Sequence, residues 1–194
     1  LTHHRIRRSS LGDLQEVNEN GEYKVMSIPD GSKESIYAKT KGGLLNISRP
    51  MLINDDLGAF NDLAADMGRS AQRTIENDVF TLLLTNPTMG DGVTLFHANH
   101  GNIGTGSGLT VTGIDADRVL MSLQKDGSSN EFLNLSPKIL LVPTSRGGAA
   151  KVVNNSTYDP DTNNKLQRYN IAGGLFSMIV ESPRISGTTR YLFA

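Results

Sequence analysis

No cysteine occurs in the 194 residues. That removes disulfides, thiolate nucleophiles and cysteine-type zinc sites together, and it suits a reducing compartment. Tryptophan is absent as well, and aromatic residues make up only 6%. An enzyme core of this size usually draws on more, so the composition fits an extended protein that completes its burial against neighbours. Neither sign of charge predominates: 19 Lys and Arg stand against 20 Asp and Glu. No global field therefore draws the chain to nucleic acid or to an anionic membrane. Long apolar runs are missing too, none approaching the ~18–20 residues that span a bilayer. The chain begins at Leu1 with no signal-peptide pattern behind it. It reads as a cleaved or trimmed product with further sequence upstream.

What is present is unevenly spread. Residues 1–22 are polar, with a basic run HHRIRRSS and no period, and read as an arm rather than a core element. Residues 23–49 (YKVMSIPDGSKESIYAKTKGGLLNISR) read as a long hairpin. Val25 and Ile28 precede its turn; Ile36, Leu45 and Ile47 follow it. Pro29 presets φ for that turn, and Asp30-Gly31 completes it because glycine accepts positive φ. So thin a ribbon buries too little to be stable alone, so it should project and lie on another surface.

The strongest pattern covers residues 56–86. Leu57, Phe60, Ala64, Met67, Ala71, Ile75, Val79 and Leu82 recur every three or four positions, one apolar stripe on a long helix. Asn54, Asp55 and Asp56 offer capping oxygens and negative charge at its start. Asn86-Pro87 ends it, since a residue before proline leaves the α region. About 30 residues at ~1.5 Å each make a rod of roughly 45 Å, a structural spine. The charges along it, such as Asp66 and Arg73, keep no coiled-coil e/g pattern.

Beyond the rod, VTLFHA (93–98) reads as a short strand and NHGNIGTGSG (99–108) as a flexible loop. Residues 114–125 read as a helix, PKILLVPT (137–144) as a buried strand, and SRGGAAKVVNN (145–155) as a helix weakened by glycine. Residues 154–170 are turn-rich; LFSMIVESPRI (175–185) and RYLFA (190–194) close the chain as strands. Mixed elements without βαβ regularity or internal repeats predict an α+β fold.

The motif that invites chemistry is LFHANHGN (95–102), where His97 and His100 are spaced H-x-x-H. A zinc site needs three or four ligands, and an extended H-x-x-H supplies two at most. No glutamate follows His97, as metalloprotease logic requires. A metal-dependent hydrolase would have to recruit Asp55 or Asp56. The residues read better as a turn in which His97, Asn99 and His100 hydrogen-bond to backbone. GTGSG (104–108) lacks the Lys-Ser/Thr of a phosphate loop and the G-x-S-x-G spacing of a nucleophile elbow. No catalytic, cofactor or metal residues are assigned, and the chain reads as a non-enzyme.

Three segments in this order, INDDLGAF (53–60), LFHANHGN (95–102) and LLVP (140–143), carry a resemblance. The stretch 49–102, followed by LNLSPKILLVPTSRGGAAKVVNNS (133–156) and SPRISGTTRYLFA (182–194), resembles the major capsid proteins of tailed bacteriophages and prophages. Within them it is similar to the Mu-type major head subunit and the prohead protease–capsid fusion proteins. The resemblance covers about residues 14–194 and implies the Hong Kong 97-type fold. It implies an N-terminal arm at 1–22, an E-loop hairpin at 23–50, a P-domain at 51–112 with the spine helix, and an A-domain with return strands at 113–194. Relatives usually continue past the position of Ala194, so the last strands are expected downstream.

By the same resemblance the chain acts in the virion as a head subunit, assembled in the bacterial host cytoplasm. Its partners are copies of itself in pentamers and hexamers, a portal, a scaffold or prohead protease, and packaged DNA, with no membrane and no cofactor. Assembly residues are then Pro29, Asp30, Gly31 and Lys33 on the E-loop, and Arg49, Asp55 and Asp56 at the spine start. Some phages of this fold cross-link an E-loop lysine to a neighbour's asparagine. Lys24, Lys33, Lys39 and Lys41 occupy that stretch, and they read here as ordinary electrostatic contacts. An encapsulin-like non-viral shell shares the fold and is the alternative.

Overall fold

The computed structural model describes residues 2–7, 14, 16–17, 21, 23, 25, 32–37, 39–44, 46, 48–53, 59–127, 131–160 and 168–194. They divide into two units, Leu1–His4 with Ser35–Pro87, and Arg5–Glu34 with Thr88–Ala194.

In the first unit the long helix, α2, runs over Ala59–Thr85, after a short α1 at Arg49–Ile53. Pro50 suits the opening of α1, where its missing N–H has no intrahelical partner to lose. The rod therefore forms where periodicity predicts it. The expected cap at Asn54–Asp56 lies outside the described residues. The helix stops at Asn86, which sits at φ 49° in the left-handed region, a conformation asparagine tolerates better than most residues.

In the N-terminal third the structure adds a strand pairing that the local sequence pattern does not suggest. The basic stretch read as an arm contains a strand, β1 at Thr2–Arg7, and its sheet partner is β2 at Ser32–Tyr37. Residues 23 and 25 are not in a strand. β2 thus pairs with the stretch read as an arm, while residues 26–31, which the hairpin reading places just before and in its turn, lie outside the described residues. Pairing across some thirty positions leaves no local period to read. His4 Nδ1 lies 3.0 Å from Ser35 Oγ, linking the strands through side chains. The turn at Pro29–Gly31 lies outside the described residues.

The second unit holds the core. Helix α3 (Val111–Ser122) is followed by strand β3 (Ile139–Pro143), helix α4 (Thr144–Asn155), strand β4 (Met178–Ser182) and strand β5 (Tyr191–Phe193). The sheet order is β4-β3-β5, with β3 parallel to β4 and antiparallel to β5. β3 is buried on both faces, with Leu140, Leu141 and Val142 all inside, which is why ILLV can be apolar at every position. Leu140, paired with Ile179 and Leu192, is fully buried. Around it cluster Val111, Ile114, Val142, Ala150, Val153, Ala172 and Phe176. One parallel β3–α4–β4 crossover in a mixed sheet is consistent with α+β.

Helix α3 begins three residues before its expected start because Thr110 caps it, its Oγ1 accepting the Gly113 N–H at 3.0 Å. Gly113 has no room for a side chain: a Cβ there would stand 2.4 Å from the Gly108 carbonyl oxygen and 2.9 Å from Ser107 Oγ. Gly113→Ala should therefore destabilise the fold. An overpacking loss of about 1–3 kcal/mol outweighs the gain of roughly 1 kcal/mol in helix propensity. Urea denaturation would read the loss as a lower midpoint.

Glycine in α4 has a packing reason too. A Cβ on Gly147 would fall 2.1 Å from Glu181 Cδ, so the bare backbone lets the Glu181 side chain lie against the helix. Glu181 also meets Lys151 of α4 at 2.5 Å. The C-terminal end of α4 is closed by two buried asparagines. The Asn154 amide donates to the Phe176 carbonyl and accepts its N–H, as a paired strand would. Asn170 donates to the carbonyls of Val153 and Ser156 and accepts the Ala172 N–H. Orphan carbonyls of a helix end are thereby satisfied.

Candidate functional site

No buried residue lies in the first unit among those described; every one belongs to the second. On α2 the apolar stripe faces solvent, with Met67 49%, Ile75 67%, Val79 53% and Leu82 56% exposed. Their spacing, with Ala71 between, places them on one side of the helix. Asp66, Arg69, Arg73 and Glu76 occupy the other side, where Arg69 bonds the Asp66 carboxylate one turn back. Fully burying one such side chain is worth ~1.5–3 kcal/mol, so four left in water forfeit several. An exposed apolar face of this kind marks an interaction surface. Asp78 falls within the stripe, three positions after Ile75 and four before Leu82, and Lys41 reaches it at 2.5 Å, which ties the segment after β2 to the helix. Lys41 thus meets a carboxylate of its own chain.

Of the residues expected on the assembly surface, Lys33 lies on β2 and Arg49 is exposed at the first position of α1. Pro29, Asp30, Gly31, Asp55 and Asp56 lie outside the described residues. The structure does bring His97, Asn99 and His100 together. The expected strand at 93–98 is replaced by a single bridge between Thr88 and Thr94, followed by a 3₁₀ turn at Ala98–His100. The backbone here is engaged by nearby side chains and so has no strand to pair with. Asn102 accepts the His97 N–H at 3.0 Å and donates to the Leu95 carbonyl at 2.6 Å. His97 Nδ1 accepts the Asn99 N–H at 3.1 Å, capping the turn, and Gly101 leaves it at φ 60°.

His100 is held from both nitrogens. Nδ1 lies 3.1 Å from the Leu95 carbonyl, and Nε2 lies 2.7 Å from Asp91 Oδ2. The other Asp91 oxygen accepts the Val93 N–H at 2.9 Å. The Asp91 carboxylate, and after it the Leu95 carbonyl, hold the His100 imidazole above the ordinary histidine value. In return His100, and after it the Val93 N–H, hold Asp91 below the ordinary carboxylate value. With these bonds three of the four ring nitrogens of His97 and His100 are engaged. Among the described residues no three His, Asp or Glu side chains come together to hold a metal. Asp91 was missed in the sequence, although the turn residues Gly90-Asp91-Gly92 could have flagged a side chain poised to bend back.

A second cluster has no sequence signal. Arg190, just before β5, donates through Nε to Asp117 Oδ2 at 2.6 Å, through Nη1 to the Ser107 carbonyl at 2.6 Å and through Nη2 to Ser107 Oγ at 3.0 Å. The two charged side chains are 11% and 9% exposed. A Cβ on Gly104 would lie 2.9 Å from Asp117 Oδ1, and Gln124 donates to the Gly101 carbonyl. The segment expected to be a flexible loop is therefore pinned to α3 and the last strand. Its glycines allow close approach to the ion pair.

Taken together, the His97–Asn102 turn and the Arg190 cluster use their polar groups largely to hold backbone, while the α2 stripe of the first unit is exposed. That is the anatomy of a structural subunit. The family model for phage capsid protein matches residues 32–194, and the chain belongs to that family. It is a capsid subunit, a membership that carries a structural role and a place in the virion. No curated protein and no solved structure matches the chain. No helix among the described residues is long and apolar enough to cross a membrane.

Proposed function

We propose that the chain is the major head subunit of a tailed phage or prophage, of Mu-type ancestry and Hong Kong 97-type fold. It assembles as pentamers and hexamers into an icosahedral shell. The observation that carries this reading is the exposed stripe of α2 in a unit without a buried residue among those described. Copies of the same chain supply the missing cover at high local concentration, and closed rings repeat one interface around an axis. In this arrangement the E-loop of one subunit, with Pro29, Asp30, Gly31 and Lys33, lies over the P-domain of its neighbour. β1 and β2 belong to the same projecting ribbon, so that ribbon draws on the arm as well as on residues 23–50. Arg49, Asp55 and Asp56 stand at the root of the spine, and residues 113–194 form the A-domain.

The partners in assembly are further copies, a portal, a scaffold or prohead protease, and DNA held without sequence preference, all within the host cytoplasm. His97, Asn99 and His100 act as a structural turn. Negative-stain electron microscopy of the expressed protein tests the reading: rings or shells are expected. A persistent monomer by light scattering at high concentration overturns it. DNA-filled heads in the producing cell support a phage shell, whereas particles filled with protein cargo would replace it with an encapsulin-like compartment.

A further inference from the structure

His100 stands between two oxygens that accept hydrogen bonds, the Leu95 carbonyl at 3.1 Å and Asp91 Oδ2 at 2.7 Å. A neutral imidazole carries one N–H and can serve only one of them; the imidazolium serves both. One proton shared between a carboxyl group and an imidazole resides on the imidazole, because their ordinary values are ~3.9 and ~6.5. From this geometry we infer that residues 89–102 form a proton-dependent clasp, in which imidazolium His100 ties Leu95 to Asp91 and its deprotonation releases one of the two.

The consequence follows from what each atom then faces. If Nδ1 keeps its proton, the Nε2 lone pair points at a carboxylate. If the proton moves to Nε2, the Leu95 carbonyl loses its imidazole donor, and the Asn102 amide remains on it alone. In the first case Asp91 is freed, and Asp91 also fixes the Val93 N–H beneath the Met89–Val93 backbone bond. Among the described residues Asp91 is the charged group that faces the His100 ring. The other groups that meet the turn do so elsewhere: Gln124 at the Gly101 carbonyl, Tyr191 on the Phe96 ring with centroids 5.4 Å apart, and His97 at the Asn99 N–H.

The sign is set by the directions of the two shifts. His100 is raised, so its contribution is complete below ~6.5 and is lost as pH climbs through its folded value. Asp91 is lowered, so its contribution is complete above ~3.9 and is lost only as pH falls through a value beneath that. The clasp is therefore tightest in mildly acidic solution and opens on the alkaline side.

This inference concerns one subunit and stands apart from the assembly reading. Its test is the 15N spectrum of histidine-labelled protein, in solution for dispersed subunits or under magic-angle spinning for assembled ones. At pH 6 both His100 nitrogens should be protonated, with a titration midpoint above ~6.5. Asp91→Asn should lower that midpoint. The variant keeps a side-chain oxygen for the Val93 N–H, so the turn can still form. The His100 and Gly101 amides should also lose protection across the wild-type midpoint, by more than in Asp91→Asn. A His100 with a single proton at pH 6, or a midpoint unmoved by Asp91→Asn, overturns the clasp.

Discussion

Ile75→Asp combined with Leu82→Asp should abolish assembly of the chain while leaving its secondary structure in place. Both side chains lie on the exposed stripe of α2, at 67% and 56% exposure, so neither supports the fold of the isolated subunit. Their replacement costs the monomer a few tenths of a kcal/mol, as surface substitutions generally do. In an interface the same two carboxylates must leave water without partners, at several kcal/mol each in practice. A loss of at least ~4 kcal/mol per contact lowers association about 10³-fold, and every copy carries the defect. Arg73→Gln, on the opposite side of the helix, is the control and should assemble normally. Sedimentation velocity reads both variants, with far-UV circular dichroism to verify the helix. Shells from the double aspartate variant would remove α2 from the interface.

Arg190→Ala should be the most damaging single substitution within the second unit. It leaves the Asp117 carboxylate, only 9% exposed, without its cation, and it takes donors from Ser107. Breaking a buried pair from one side costs ~3–5 kcal/mol because the remaining charge stays buried. For a unit of this size that corresponds to a fall in Tm of roughly 10 °C. Arg190→Lys should recover little, since an ammonium has no planar fork to meet a carboxylate and a carbonyl together. Removing both charges with Arg190→Met and Asp117→Leu should restore much of the loss, because a well-packed apolar pair avoids the desolvation penalty. Differential scanning calorimetry of the three variants distinguishes these outcomes. Equal melting of wild type and Arg190→Ala would show that the ion pair contributes nothing.

The elements legible in the chain were those whose cause is local. A 3.6-residue apolar period requires only helix geometry, and α2 lies where that period is strongest. ILLV reads as a buried strand because no face of it tolerates water, and it is one; its place between β4 and β5 is the structure's addition. The errors have a common source in side chains that bond to backbone, some of them near in sequence and one far. VTLFHA has the composition of a strand, but Asp91, His100 and Asn102 engage its backbone before any strand can. IGTGSG has the composition of a loose loop, yet Arg190, more than eighty positions away, closes on it.

Composition and periodicity alone therefore pointed to a cysteine-free α+β chain with a long amphipathic rod, and the order of INDDLGAF, LFHANHGN and LLVP carried its resemblance to phage capsid proteins. These depend on backbone geometry and on the order of motifs, both of which are written linearly. Tertiary structure decided which strand β2 joins, which carboxylate charges His100, and which segment Arg190 closes on. Each of those outcomes is a contest between groups that no local period pairs, settled by which of them the folded backbone brings within about 3 Å.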